Sequence, residues 1–399
     1  MLFLECLFWF CVFIIFFNYA GYALVAYLFS QLRRRKRIIH TAELPSISFI
    51  VAAFNEEDCI EKKIINSLEQ DYPSDRIEFI FVSDGSSDAT PDIISRYSRI
   101  KLLHQPQRGG KSAALNRAVK AAKNEVLIFS DANTLLNKKA VRIMAAHYAD
   151  PIVGGVSGEK KVLVPTYSAD EVVNSEGLYW KYESTLKKID SDFWSVVGAA
   201  GELFSVRREL YEPLPHHVIL DDFLLSMKVA LKGFRIIYEP KAFATELPSF
   251  SVADEHKRKV RIAAGGFQAI SMLPRALQFW KHWKLSFLYI SHRVLRWAVT
   301  PFCLVLALVT NFVLAADGAF LYLAILALQL AFYASALVLH LFPGLGKTAK
   351  PLKLSYYFVF MNISVIQGFF RFLRRNQPST WEKARRSEPG LLEHRLIDQ

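Results

Sequence analysis

The sequence predicts an α/β protein with a parallel sheet covered by helices, and transmembrane helices at both ends. Three observations predict it. Strands and helices alternate through the middle of the chain, polar clusters recur where strands end, and long apolar runs are confined to the two ends.

The first apolar run extends from Met1 to Phe29, with only Glu5 and Asn18 strongly polar. It exceeds the ~20 apolar residues that cross a bilayer core. A cleaved signal peptide fits poorly, because the run is too long and its positive charges follow it. Those charges, Arg33-Arg34-Arg35-Lys36-Arg37, belong on the cytoplasmic side, which puts the N-terminus outside and the chain after Arg33 inside. Apolar runs return at Trp297–Ala316, Phe320–Phe342 and Leu354–Phe370. Three full spans starting inside would leave Arg371, Arg374, Arg375, Arg385 and Arg386 outside, against the positive-inside rule. The last run is therefore expected to re-enter or to lie at the interface, with the loop bearing Lys347, Lys350 and Lys353 and the tail both cytosolic. The expected organisation is an N-terminal transmembrane helix over 1–30, a cytosolic domain over 41–250, interfacial amphipathic helices over 251–292, membrane segments over 293–372 and a basic tail over 373–399. Such a chain is a multi-pass protein of the inner (plasma) membrane with its soluble domain in the cytoplasm.

The net charge of +12 raises the question of nucleic acid. The basic residues cluster beside membrane segments, at Arg33 to Arg37, Lys257 to Arg261 and Arg371 to Arg386, so orientation and contact with the lipid bilayer explain them and no nucleic-acid partner is needed. Cys6, Cys11, Cys59 and Cys303 have neither disulfide nor metal-ligand spacing.

In the soluble part, Ile47–Ala53 reads as a buried strand ending at Phe54-Asn55-Glu56-Glu57, followed by a helical pattern over Ile60–Leu68. Glu78–Val82 is a second strand, ending at Ser83-Asp84-Gly85-Ser86, and Pro91 opens another helix. Lys101–His104 is a short strand, Lys111–Ala122 a helix, and Val126–Phe129 a strand ending at Ser130-Asp131-Ala132-Asn133. In parallel sheets ligands bind outside the carboxyl ends of the strands, which is where Asn55-Glu56, Asp84 and Asp131 fall.

Four constellations could carry chemistry, and each has a plainer reading. Asp131 and Asn133 supply hard oxygens that suit Mg2+ or Mn2+ bridging a diphosphate, yet Asp and Asn also favour turns for their own hydrogen bonds. Arg108-Gly109-Gly110-Lys111-Ser112 opens a helix and could hold a phosphate. Gln105 stands where a P-loop needs glycine, which excludes an ATPase or GTPase, and a glycine turn with a solvated lysine would look the same. Asp221-Asp222 at a helix start is favoured by the helix dipole without any function, or it provides a general base for an acceptor hydroxyl. Arg258-Lys259-Val260-Arg261 either decorates an interfacial helix or neutralises a departing diphosphate.

In this order the pieces resemble the family 2 glycosyltransferases, in particular the membrane-bound branch of poly-N-acetylglucosamine, cellulose and hyaluronan synthases, over Ser46 to Gln268. The resemblance implies a GT-A-type fold and a UDP-sugar donor. Val51 to Glu56, with Ala53, Asn55 and Glu56, looks like the first uridine-binding strand and turn. Asp84 would accept hydrogen bonds from uracil or ribose, and Gly109 to Asn116, with Lys111, is similar to the segment that reaches the diphosphate. Asp131-Ala132-Asn133 stands at the Asp-x-Asp metal motif. Gly198, Ala199, Ala200 and Gly201 resemble the acceptor-side loop, with Asp221 and Arg258 also on that side, and Leu220-Asp221-Asp222 matches the position of the catalytic base, making Asp222 that base. Arg261 keeps the diphosphate role of the Gln-x-x-Arg-Trp motif. Ile262 replaces its Trp, which leaves processive synthesis without its stacking residue.

The implied reaction is inverting transfer of a sugar, GlcNAc or another hexose, from a UDP-sugar to a glycan or lipid acceptor, in exopolysaccharide or cell-envelope synthesis. A transporter would need more spans and charges inside them. A membrane-tethered nucleotide-binding regulator without transferase activity would need neither Asp222 nor Arg261. The sequence names no partner subunit.

Overall fold

The structure is a computed structural model and describes residues 1–32, 43–162, 171–247, 252–342 and 350–375. The cluster from Arg33 to Arg37, the loop with Lys347, and the tail with Arg385 and Arg386 lie outside the described residues.

The chain enters through α1 (Leu2–Phe16), which a π-helical turn at Phe17–Gly21 joins to α2 (Tyr22–Gln31). There follow β1 (Ile47–Ala53), α3 (Ile60–Leu68), β2 (Ile77–Asp84), α4 (Thr90–Ser95), β3 (Ile100–Gln105), α5 (Lys111–Ala121) and β4 (Val126–Asp131). These are the strands and helices expected from the alternation, and β1 to β4 pair in parallel as expected. Beyond them come β5 (Leu135–Leu136), α6 (Ala140–Ala146), β6 (Val153–Val162), α7 (Glu171–Phe193), β7 (Leu203–Arg207), α8 (Asp221–Leu231) and β8 (Arg235–Glu246). Here the sheet becomes mixed, because β7 lies antiparallel between β4 and β6, giving the order β3-β2-β1-β4-β7-β6-β8-β5. A strand pattern fixes which residues are buried but not the direction of the neighbour, so this reversal leaves no mark in the alternation.

Every residue of β1 is buried, and successive side chains enter different cores. Phe49, Val51 and Ala53 pack with Ile60 and Ile64 of α3. Ile50 and Ala52 join Ala114 and Ala118 of α5 and Phe223 and Met227 of α8 in the second core. That second core continues without interruption into the membrane-side helices through Tyr22, Tyr289, Trp297 and Val365.

Those helices are α9 (Val252–Met272), α10 (Phe279–Tyr289), α11 (Thr300–Ala316), α12 (Phe320–Leu341) and α13 (Lys350–Leu373). The π-helical stretch Ile290–Val299 carries α10 straight into α11. Among the described residues four helices are long and apolar enough to cross a membrane: Leu2–Gln31, Phe279–Ala316, Phe320–Leu341 and Lys353–Leu373. The last is an unbroken helix and not a re-entrant hairpin, and its Gly368 is pressed against Ala263 and Ala264 of α9, where a Cβ would meet the Ala263 methyl at 2.5 Å.

A buried ionic junction ties α7 to the second apolar helix. Arg293 and Arg296 both pair with Glu183, the former at 3.2 Å. His292 Nδ1 meets Asp190 Oδ2 at 2.6 Å, and the Tyr22 hydroxyl donates to the other Asp190 oxygen. Removing one partner of such a pair leaves an uncompensated buried charge, so the junction holds the sheet domain and the apolar helices in one register.

Candidate active site

The carboxyl ends of β1, β2 and β4 converge on one edge, and the expected donor-side residues are there. Asn55 adopts φ 53° just past Ala53, a left-handed conformation that asparagine tolerates. Its Oδ1 accepts the Ser87 amide at 2.8 Å, while the Glu56 amide donates to Thr90 Oγ1 at 2.8 Å. The two expected nucleotide turns are thus bound to each other.

Asp84 is fully buried at the end of β2. Its carboxylate accepts the amides of Gly109 and Gly110, the latter at 2.7 Å, and a guanidinium hydrogen bond from Arg117 at 2.9 Å. The expectation of contact with uracil or ribose therefore meets a carboxylate engaged by protein donors, whose visible work is to shape the glycine loop. Gly110 caps α5 with φ 89°, where a side chain would be strained. The loop delivers Lys111 at the first position of α5.

Lys111 Nζ lies 2.6 Å from Asp131 Oδ1 and 4.0 Å from Asp221 Oδ2. Burial works against its charge, but Asp131, Asp221 and Asp222 more than offset that and hold the ammonium above its usual range. Burial also raises the Asp131 carboxyl, against the lowering effect of Lys111. One narrow crevice is lined by Lys111, Asp131, Gly201, Asp221 and Asp222. The approach is close: a Cβ on Gly201 would stand 3.1 Å from Asp222 Oδ2. Burial pushes the Asp222 carboxyl up to about 7, aided by the charges of Asp221 and Glu202 and opposed by Lys111.

On the other side of Asp222 opens a cavity of about 850 Å3. Gly198, Ala199 and Ala200 line it, as do Arg258, Lys259, Ile262 and Ala263 of α9, Trp297, and Tyr357, Phe358 and Met361 of α13. Gly198 has φ 85° and would place a Cβ 2.2 Å from the Phe223 ring, so only glycine fits this turn. The Ala199 and Ala200 amides are held by Ser226 Oγ and Ser157 Oγ. Arg258 pairs with Glu255 at 2.9 Å. Arg261 is not among the residues that line the cavity; α9 contributes the positions at 258, 259, 262 and 263 instead.

Several residues of the site escape sequence reasoning. Lys63 is fully buried beneath Asp131 and donates to Ser130 Oγ at 2.6 Å and the Thr134 carbonyl at 2.9 Å; burial brings its pKa down to about 7. Its signal was available, because Ile60, Lys63, Ile64 and Ser67 form the buried face of α3 and a lysine interrupts it. Glu202 pairs with the buried Lys160 at 2.6 Å, which outweighs burial and holds its carboxyl well below the usual range. Trp180 and Trp297 line the cavity that Ile262 also lines.

Asp131, with Asn133 two residues on, offers oxygens of the right hardness for Mg2+ or Mn2+. Among the described residues no group of three or more His, Cys, Asp or Glu is arranged to hold a metal alone. That fits an ion shared with phosphate oxygens, since Mg2+ commonly takes one or two carboxylates and completes its shell from substrate and water.

Residues 48–214 match the Glycosyl transferase family 2 model. Over that stretch the chain is similar to the family 2 glycosyltransferases. A poly-beta-1,6-N-acetyl-D-glucosamine synthase of Staphylococcus aureus strain MSSA476 is 27% identical to it over 243 residues, 59% of this chain and 58% of the relative. One from Staphylococcus epidermidis is 25% identical over 235 residues, 57% of this chain and 56% of the relative. The chain thus spans a little over half the length of the curated relatives it matches. A mannosyltransferase from Pyrobaculum calidifontis, solved with GDP-Man and Mn2+, superposes with a TM-score of 0.73 at 24% identity, over 94% of this chain and all of that one. The glycosyltransferase domain therefore has the GT-A-type fold, with apolar helices before and after it.

Proposed function

We propose that this protein is a membrane glycosyltransferase that moves a sugar, GlcNAc or another hexose, from a UDP-sugar to a glycan or lipid acceptor with inversion at the anomeric carbon. The observation that carries this reading is the position of Asp222, which lines both the crevice shared with Lys111 and Asp131 and the large cavity that reaches the apolar helices. A base that serves transfer must touch the acceptor on one side and the departing donor on the other. The relatives named for poly-N-acetylglucosamine synthesis support the choice of sugar.

In this mechanism the donor lies along the strand ends, with its nucleotide against the turn at Ala53, Asn55 and Glu56 and over the loop that Asp84 shapes. Asp131, with Asn133 beside it, would hold a Mg2+ or Mn2+ ion, which when bound stabilises charge on the diphosphate. Lys111 turns from Asp131 to the diphosphate, and Arg261, which lines neither the crevice nor the cavity, would have to turn towards the diphosphate to add a second cation. The acceptor hydroxyl enters from the cavity past Gly198 to Ala200. Asp222 takes its proton as the oxygen attacks the anomeric carbon, the bond from that carbon to the diphosphate breaks, and UDP leaves with the electron pair. A base with pKa near the working pH combines a large ionised fraction with real proton affinity, and the value of about 7 suits that role. The loop after Arg33 and the tail after Arg375 are assigned to the cytoplasm, with α13 at the interface.

Incorporation of radiolabelled sugar by the purified full-length protein, tried over several UDP-sugars and GDP-mannose in membrane lipid extract, tests the reading. Transfer from UDP-GlcNAc or another UDP-hexose supports it. Transfer from GDP-mannose alone overturns the donor, and binding of nucleotide with no transfer from any donor overturns the enzyme.

A further inference from the structure

We infer that the cavity carries an anion subsite built on Lys187, and that the acceptor is an anionic amphiphile. It would present a hydroxyl to Asp222, a phosphate-like anion to Lys187 and an apolar chain to the membrane-side helices. This rests on the transferase reading above and names its acceptor class.

Lys187 lies on α7, is 5% exposed and lines the cavity. Its ammonium has no hydrogen bond or ion pair among the described residues; its contacts are the ring faces of Trp180 and Tyr238, each 5.9 Å away. Apart from Lys353 on α13, the other cations that line the cavity are already matched. Lys160 pairs with Glu202 and Glu246, Lys259 and Arg258 with Glu255, and Arg293 and Arg296 with Glu183. The acids that line the cavity besides Asp222 are thereby spent, since Glu183 and Glu202 serve those partners. Ring faces replace only part of the hydration an ammonium loses. Lys160 and Lys259 also stand over the Trp180 ring, at 5.2 and 5.5 Å, but each has its own carboxylate, so of the three ammonium groups around this indole Lys187 is the one without an ion pair among the described residues. A ligand anion is what this arrangement lacks.

The spacing of Trp180, Glu183 and Lys187 puts them on one face of α7, towards the cavity. The wall supplied by α13 is of another kind, with Tyr357, Phe358, Met361 and Val365, and it belongs to a helix apolar enough to lie in a bilayer. A neutral glycan would leave both the charge and the apolar wall unused. A lipid with an anionic head uses both.

The test is calorimetric titration of the purified full-length protein in detergent with three probes: dihexanoyl phosphatidic acid, dihexanoylglycerol and inorganic phosphate. The first should bind at least about tenfold more tightly than either of the others, because it alone has both anion and chain. Lys187→Met should weaken phosphatidic acid binding by about tenfold or more, the range for a lost charged hydrogen bond, and Lys187→Arg should restore it. UDP binding, measured on the same samples, should be equal in all three proteins and shows that each is folded. Equal binding of dihexanoylglycerol and phosphatidic acid overturns the anion subsite, even if Lys187→Met does not fold. Equal binding of inorganic phosphate overturns the lipid, and a Lys187→Met protein that binds phosphatidic acid like the parent overturns the residue. Loss of UDP binding and transfer in the parent would instead sink the transferase reading, and is read separately.

Discussion

Asp222→Asn separates chemistry from binding, and the structure supplies the size of the effect. The Asp222 carboxyl sits at about 7, raised first by burial and then by Asp221 and Glu202. If its ionised form is the base, kcat/KM for the acceptor should rise tenfold per pH unit below 7 and level off above it. At pH 5 roughly 1% of such a carboxyl is ionised, so the rate there should be about 100-fold below the plateau. Asp222→Asn should lower the plateau by ~10²–10⁴-fold, abolish that acid limb and leave UDP affinity nearly unchanged. Lys111→Met should move the limb to higher pH, since Lys111 is the cation that opposes the rise. Stability should change in the opposite sense. A carboxyl whose folded pKa lies above its ordinary 3.8 contributes stability that is fully present below that value and lost as pH rises through 7. Each pKa unit is worth ~1.36 kcal/mol, so Asp222→Asn should gain at most about 4 kcal/mol above pH 7. The assays are label transfer and calorimetric UDP binding from pH 5 to 9 on parent and variants, with thermal unfolding alongside. A parent limb near pH 4, or an Asp222→Asn protein that transfers normally, refutes the reasoning; a dead Asp221→Asn beside an active Asp222→Asn would move the base by one residue.

Asp131→Ala should weaken UDP-sugar binding and remove any stimulation by Mn2+ or Mg2+, read by titrating metal into the transfer assay; an unchanged metal response returns Asp131 and Asn133 to the status of a turn. Asp84→Ala leaves Arg117 and the Gly109 and Gly110 amides without their acceptor, so unfolding free energy should fall by about 3–5 kcal/mol. A loss well under 1 kcal/mol would mean that the loop keeps its shape without Asp84. A single cysteine at Ser379 in sealed vesicles of known orientation should react only from the side that carries the catalytic domain; reaction from the opposite side alone would make α13 a full span.

The fold was legible where each strand and helix is a short, bounded pattern. Ile47–Ala53, Ile60–Leu68 and Lys111–Ala121 fall where hydrophobic period, turn residues and the Gly109-Gly110 pair put them. What stayed hidden depends on pairs far apart in sequence. The antiparallel insertion of β7 is decided by the long path through α7, and nothing within Leu203–Arg207 states its direction. Of the candidate site, Asp131, Lys111, Asp221 and Asp222 stand out in the sequence because they fall in segments that resemble the family motifs, and they meet in one crevice. Lys187, Lys160 and Glu202 belong to no motif, and a charged residue in a helix ordinarily means a solvated face. Only the packing of α7 against the sheet and the apolar helices turns that face inward.

That packing also bears on why the acceptor side was the harder half to read. The residues proposed for the donor lie on strand ends and the turns that follow them, within about 100 residues of chain in one continuous βα pattern. The proposed acceptor cavity is assembled from the π-helical turn that holds Tyr19, α7, the loop at Gly198 to Ala200, the start of α8, α9, the π-helical stretch Ile290–Val299 and α13, segments spread from Tyr19 to Val365. They are held together by a core shared between the sheet and the apolar helices, and by Glu183 and Asp190 reaching Arg293, Arg296 and His292 of the second apolar helix. An acceptor that binds there is therefore recognised partly by helices whose first duty is to sit in a membrane. Changing those helices should alter which acceptor is used while leaving nucleotide binding intact, because among the described residues Asp222 is the one carboxylate that lines both compartments.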